Sequence, residues 1–171
     1  MTHLIAFLIA SASIQPRGDA GGGACKFSLS PGQAQTKVVG PPEIVDKVVL
    51  LTQNDSPVQI IWADFTDAVL DSADGRFQFS DGHKFKVRNR SDRSINRVEV
   101  MAHVVGRTGG IGAGVTWNGE LSPGQTTVLT VARGHGDGGA PDDEVKVLLG
   151  IESVGFADCD YWPSKSIPLW K

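Results

Sequence analysis

The sequence predicts an all-β protein, a two-sheet antiparallel sandwich of seven or eight strands, with a small barrel as the alternative. Three observations carry this. In Lys84–Asn89, Phe85, Val87 and Asn89 alternate with Lys84, Lys86 and Arg88, and further on Val98, Val100, Ala102 and Val104 alternate with Arg97, Glu99, Met101 and His103. Successive side chains on a strand point to opposite faces, so strict alternation marks half-buried strands. Turn-forming Gly, Pro, Asn and Asp recur between such runs, and the chain holds 21 Gly and 9 Pro. No long stretch has apolar residues at helical spacing, which leaves sheet-on-sheet packing as the way to bury a core.

The elements follow in order. Residues 13–43 are punctuated by Pro and Gly too often for a long element, with short extended pieces near Phe27 and at Lys37 to Val39. Ile44 to Thr52 is expected as a strand, as is Val58 to Trp62, where Val58, Ile60 and Trp62 point inward. Asp64, Asp67, Asp71 and Asp74 recur at spacings of three and four, which puts them on one side of a short helical turn. Their spacing lacks the alternating carboxylates and central Gly of a calcium loop, so a solvated acidic face is expected. Asp81-Gly82 between Phe77–Phe79 and His83–Phe85 signals a two-residue hairpin turn. The runs Lys84–Asn89 and Arg97–Val104 then form two neighbouring strands across the polar break Arg-Ser-Asp-Arg-Ser. Arg107 to Gly114 is read as a long hairpin loop before a strand at Val115–Trp117; no helix follows to make it a phosphate cradle. Leu121-Ser-Pro123-Gly124-Gln places Pro and Gly as in a type II turn. Strands at Thr127–Ala132 and Glu144–Phe156 close the core, the second with Val145, Val147, Leu149 and Ile151 on one face.

A chain of 171 residues with 40% apolar and 20% charged residues is neither disordered nor membrane-embedded by composition. The net charge of −3 argues against nucleic acid or an anionic membrane as partner of the whole molecule. Basic residues do gather from Lys84 to Arg97, and a solvated sheet face is expected there, with a docking patch for a polyanion as the sharper alternative.

Leu4 to Ala10 is a continuous apolar run, followed by Ala10-Ser-Ala12, a small-x-small cleavage pattern. The run is too short to span a bilayer, which takes roughly 20 apolar residues. The expected organisation is a signal peptide at 1–12, a leader or linker at 13–43, a sandwich domain at 44–162 and a tail at 163–171. The protein is then secreted or periplasmic, with no membrane insertion. A buried first strand is the alternative for the apolar run, whose n-region lacks Lys and Arg. Cys25 and Cys159 are the two cysteines of the chain, and in an oxidising compartment they are expected to pair. Reduced thiols or a bond between two chains are the alternatives.

The search for chemistry finds no nucleophile elbow, zinc helix, phosphate loop or Cys-x-x-Cys pair. No cofactor is expected. His103 alternates outward on a strand and His135 lies in the Gly-rich loop Gly134–Asp143, with Asp137, Asp142 and Asp143 nearby. Ordering that loop around a metal costs entropy, so no metal site is expected. Trp62 is assigned to the core. Trp117, Tyr161 and Trp162 lie at strand ends or in the tail, and are the candidate binding residues, because an exposed aromatic ring can stack on a sugar or anchor a protein.

Three features resemble immunoglobulin-like domains of secreted bacterial proteins: Val-x-Asn89-x-Ser91 before the Ile95 strand, Leu121-Ser-Pro-Gly124 leading into an extended strand, and Val154-Gly-Phe156-Ala-Asp158 before Trp162. The resemblance spans residues 44–162, implies an immunoglobulin-like sandwich, and brings no catalytic residues. The function expected is an exported non-enzymatic binding module for a protein or carbohydrate ligand. The alternatives are a small hydrolase using His103 or His135, and an assembly subunit pairing through an edge strand.

Overall fold

The computed structural model describes residues 25–31, 35–67, 69–71, 76–78, 83–106, 109–130, 146–159 and 161–163. Its strands are β1 (Lys37–Val39), β2 (Val48–Leu50), β3 (Val58–Asp64), β4 (Val69–Asp71), β5 (Arg76–Gln78), β6 (Lys84–Asn89), β7 (Ile95–Gly106), β8 (Gly109–Leu121), β9 (Thr126–Thr130), β10 (Lys146–Phe156) and β11 (Trp162–Pro163). A four-stranded sheet runs β1-β3-β6-β9. The second sheet runs β11-β10-β7-β8, with β2 on the same edge of β10 as β11. A separate β4-β5 hairpin makes a third, two-stranded sheet. Among the described residues the two large sheets are not joined into a barrel; they are the layers of a sandwich.

The core between the layers is supplied by the alternating faces. Phe85, Val87 and Asn89 of β6, Val98, Val100 and Ala102 of β7, and Val147, Leu149 and Ile151 of β10 are all buried. Phe65, Leu121 and Leu129 join them.

Several expectations are corrected. β6 and β7 are consecutive in the chain but lie in different sheets, because the break at 90–94 carries the chain across the sandwich. Asn89 holds that crossover: its amide donates to the carbonyls of Arg93 (2.7 Å) and Leu121 (2.8 Å), and its Oδ1 accepts from the N–H (2.8 Å) and hydroxyl (2.7 Å) of Ser91. β6 does not pair with β5: both its edges are taken, by β3 and β9, and β5 pairs with β4 instead. The Asp81-Gly82 turn itself lies outside the described residues.

The acidic stretch is not a helical turn. Asp64 ends β3 and caps the following bend, its Oδ1 accepting from the Thr66 N–H (2.9 Å), while Asp71 lies in β4; Asp74 is outside the described residues. The run expected as one strand from Ile44 to Thr52 divides into a helical turn, α1 (Pro42–Val45), and β2. Pro42 fits the first position of α1, where no hydrogen-bonded N–H is needed. Ile44, 1% exposed, turns into the core as the chain passes from one sheet to the other. Gly40 just before it has φ +154°, and a Cβ there would stand 3.0 Å from the Phe65 carbonyl carbon. Both facts reserve the position for glycine.

Arg107 to Gly114 is shorter as a loop than expected. β8 begins at Gly109, opposite Gly106, so pairing runs through most of the glycine stretch. The Pro123-Gly124 turn forms as expected: Gly124 has φ +77° and the Gln125 N–H donates to the Ser122 carbonyl at 3.1 Å.

Two strand pairings are parallel, β1 with β3 and β2 with β10, where antiparallel sheets were expected. Both arise from the segment before β3, which adds one short strand to each sheet. Beyond β2 the edge of β10 is covered by a side chain. The Gln53 amide donates to the Ile151 carbonyl and accepts from the Ile151 N–H, both at 2.7 Å, imitating one more ladder residue. β11 takes over at Ser153 and Val154. The edge of a central strand is thus closed piece by piece, which protects it from pairing with another chain.

Residues 25–30 run extended along the crossover. Cys25, Phe27 and Leu29 turn inward in alternation, and Leu29 bridges Ser91. The Arg93 guanidinium donates to the Lys26 carbonyl (2.7 Å) and pairs with Asp158 (2.7 Å). Arg90 donates to the Ser30 carbonyl at 3.2–3.3 Å. Cys25 and Cys159 stand at disulfide distance, their Cα atoms 5.6 Å apart, as expected for the pair.

Candidate functional site

The candidate site is the outer face of the four-stranded sheet, and one irregularity creates it. The β3–β6 register shifts between Ile60 and Trp62, leaving Ile61 as the extra residue of a bulge. A bulge reverses the alternation beyond it. Val58 and Ile60 point inward before it; Ala63, fully buried, points inward after it. Trp62 therefore faces outward and is half-buried, which corrects its assignment to the core.

Directly paired residues in adjacent strands share a face. Lys37 pairs with Trp62, Trp62 with Lys86, and Lys86 with Val128, so these four form one row across the sheet. Val39, Asp64, Lys84 and Thr130 form the next row. On the other side Gln59, Arg88 and Thr126 form a third. Val128 is 47% exposed, and Lys37 and Lys84 are exposed. The three rows carry four cations and one carboxylate, in a chain whose net charge is −3. The Thr66 hydroxyl and N–H together hold the Asp64 carboxyl below the usual carboxylate range. The ion pairs Arg93–Asp158 and Arg97–Glu99 use none of these four cations, and Lys84 stands opposite Asp64 and helps to hold its carboxyl ionised.

The basic cluster seen in the sequence thus divides by role. Arg90 and Arg93 hold the N-terminal stretch, Arg97 pairs with Glu99, and Lys84, Lys86 and Arg88 line the outer face.

The residues expected at a binding site fall elsewhere. Trp117, Val98, Val154 and Trp162 lie in one register row across the second sheet. Val98 and Val154 are fully buried, so the row faces the core. Trp162 is 8% exposed and Trp117 packs partly buried against the core, its ring over Gly119. The two indoles sit three strands apart at opposite ends of this row, so they do not form one platform. Tyr161, 65% exposed, lines a cleft of about 390 Å³ with Trp162, Phe27, Leu29, Asp55, Pro163 and Cys25. A second cleft, of about 380 Å³, opens beside Gln53 between β2, β3 and β10.

Acid–base groups are dispersed. His103 lies on the outer face of the second sheet opposite Leu148 and Gly112, and burial holds its imidazole below the usual range. Glu99 is four residues along the same strand, roughly 13 Å away. Glu99 accepts from Ser153, Arg97 and Thr116. Burial, with Glu99 close by, pushes the Glu152 carboxyl up. This carboxylate pair owes its placement to a second bulge, between Ile151 and Ser153, and alternation alone does not reveal it. Neither glutamate lines the two clefts. His135, Asp137, Asp142 and Asp143 lie outside the described residues. Among the described residues no three His, Cys, Asp or Glu side chains gather as metal ligands.

His83 is 1% exposed, its ring 5.6 Å from that of Phe65. Burial holds its pKa below the usual value of about 6.5, although Asp67 and Asp64 pull the other way. A base whose folded pKa is depressed takes up its proton more readily when unfolded. Its contribution to stability is therefore complete above about pH 6.5 and is lost as the pH falls through the folded value. The urea midpoint should drop between pH 7.5 and pH 5, and His83→Gln should flatten that slope. A wild-type midpoint that does not move would contradict the burial.

Comparison with protein families, with curated proteins and with solved structures finds no match for the chain.

Proposed function

We propose that this chain is an exported, non-enzymatic binding module on an immunoglobulin-like sandwich, and that its contact surface is the outer face around Trp62. The single observation that carries the surface is the bulge at Ile61, which turns a tryptophan out of the core into a row with Lys37 and Lys86. A large aromatic ring on an open face loses burial that it would have had inside, and aromatic residues with polar neighbours are typical of recognition surfaces.

Export is supported by the apolar Leu4–Ala10 run and by two cysteines at disulfide distance, a pairing that persists in oxidising compartments. The immunoglobulin-like assignment is supported by the connections. The chain passes between the two sheets from β6 to β7, from β8 to β9 and from β9 to β10, the alternation of Greek-key sandwiches.

The test is Trp62→Ala. A half-buried outward side chain should cost about 1–2 kcal/mol at most on removal, so the variant should stay folded. Binding to polysaccharide or protein ligands on an array should be lost in Trp62→Ala and kept in Tyr161→Ala. The reverse pattern would move the contact surface to the cleft beside the disulfide and refute this assignment.

An assembly role is the second reading, favoured by β8. Eleven of its thirteen residues pair with β7 on one side, and among the described residues no strand covers the other. Concentration-dependent oligomers in light scattering would favour it.

A further inference from the structure

We infer that the ligand of the Trp62 face is an acidic polysaccharide, a polymer of sugar rings bearing carboxylates. The inference rests on the assignment of that face as the contact surface and adds the ligand's chemistry.

The face presents two kinds of group in a fixed pattern. Trp62 stands between Lys37 and Lys86 on the neighbouring strands, each about 5 Å away along the row. Lys84, Lys86 and Arg88 follow one another along β6 on the same face, with about 6.5–7 Å between successive residues. A sugar ring has an apolar C–H face that stacks on an indole. A carboxylate on the ring, or on the next one, then falls within reach of a lysine on either side. A row of cations along β6 accepts further carboxylates of the same polymer.

Charge complementarity selects among occupants. The three rows hold four cations to one carboxylate, opposite in sign to the chain as a whole, so attraction for an anion is local to this sheet. Other classes fit less well. Single-stranded nucleic acid is held by several aromatic platforms along a basic groove, and this face has one tryptophan on a sheet surface. Duplex DNA is read by a helix or ribbon entering a groove, and these rows lie flat across four strands. A bilayer surface asks for a broad apolar area, and here Val39, Trp62 and Val128 are separated by charged or polar neighbours.

The experiment is affinity electrophoresis of the full oxidised chain in gels containing polygalacturonate, dextran or oligo-dT. Polygalacturonate should retard the wild type, more weakly as salt is raised, and dextran should not. Lys37→Gln with Lys86→Gln, and separately Trp62→Ala, should each weaken retention at least tenfold. The lysine variants change only outward-facing side chains, so they report on binding even if Trp62→Ala proves unstable.

Equal retention by dextran, unchanged in the lysine variants but lost in Trp62→Ala, would overturn the acidic ligand and leave the contact surface standing. Tighter retention by oligo-dT would overturn it in favour of nucleic acid. No retention by any of the three would overturn the acidic polysaccharide as ligand and leave the contact surface to the array test of Trp62→Ala, whereas retention by polygalacturonate that survives both Trp62→Ala and the lysine changes would overturn the ligand site and the contact surface together.

Discussion

Val147→Asp is expected to lower the stability of the fold by at least about 4 kcal/mol and to shift its urea midpoint far below that of the wild type. Val147 is fully buried in the central strand β10, paired with Val48 on one side and Val104 on the other. An aspartate there stands among the buried apolar residues of the core. It either ionises without a partner or binds a proton and remains an unsatisfied polar group. Either way the cost is at least about 4 kcal/mol. A domain of this size is stable by only about 5–15 kcal/mol, so the loss is a large fraction of the margin. Val100→Asp, at a site 1% exposed on β7, should behave alike. Lys146→Asp, one residue away on an exposed position, should change stability by no more than about 0.5 kcal/mol. Urea unfolding followed by tryptophan fluorescence compares the three; a Val147→Asp midpoint near that of wild type would mean that the face is wrongly assigned.

Asn89→Ala is the second large effect, and its mechanism is different. The side chain is fully buried and makes four hydrogen bonds, two as donor and two as acceptor. Its backbone also bonds to Gly124 and Gln125, so one residue ties the crossover at 90–94 to the turn before β9. Truncation removes the Asn89 partners of the Leu121 carbonyl and the Ser91 N–H in the interior, and leaves the Arg93 carbonyl with the Ser91 hydroxyl (3.1 Å) in place of two donors. Each orphaned group costs about 1–3 kcal/mol, and partial relaxation brings the total to roughly 3–5 kcal/mol. Asn89→Asp should be no milder, because a second oxygen replaces the donor that faces two carbonyls. Asn96→Ala, on an exposed position, serves as the control and should be near neutral. An Asn89→Ala loss below about 1 kcal/mol would show that the network does not hold the crossover.

Where the period of two runs unbroken, the sequence foretells the fold. The buried faces of β6, β7 and β10 follow directly from the alternation at 84–89, 98–102 and 147–151. The type II turn follows from Pro123-Gly124, since a residue with positive φ is needed there. The pairing of Cys25 with Cys159 follows from their being the two cysteines of the chain.

What alternation cannot convey is partner choice and phase. Phe77–Phe79 and His83–Phe85 have the local signature of a hairpin, yet β6 is claimed on both sides by strands far away in sequence. Parallel pairing of β1 and β2 depends on where short segments dock, and three residues carry too little pattern to say so. The outward turn of Trp62 is not legible for one reason. Val58-Gln-Ile60-Ile-Trp62 keeps Val58, Ile60 and Trp62 on one face when Ile61 is placed outward, and a bulge of one residue leaves no mark in so apolar a run. The fully buried Ala63 and Phe65 that take over the inward face are a signal, since they continue the period one residue out of phase. Conversely, Trp117 and Trp162 were placed at strand ends by position, and register then shows both on the core side of the second sheet.

Mapping a ligand onto the sheet tests the Trp62 face directly. Backbone amide chemical shifts of the isotope-labelled, oxidised chain would be followed during titration with oligogalacturonate. Shifts should be confined to β1, β3, β6 and β9, largest at Lys37, Trp62, Lys86 and Val128, together with the Trp62 indole N–H. Shifts centred on Tyr161, Phe27 and Asp55, with the Trp62 signals unmoved, would contradict that face as the contact surface.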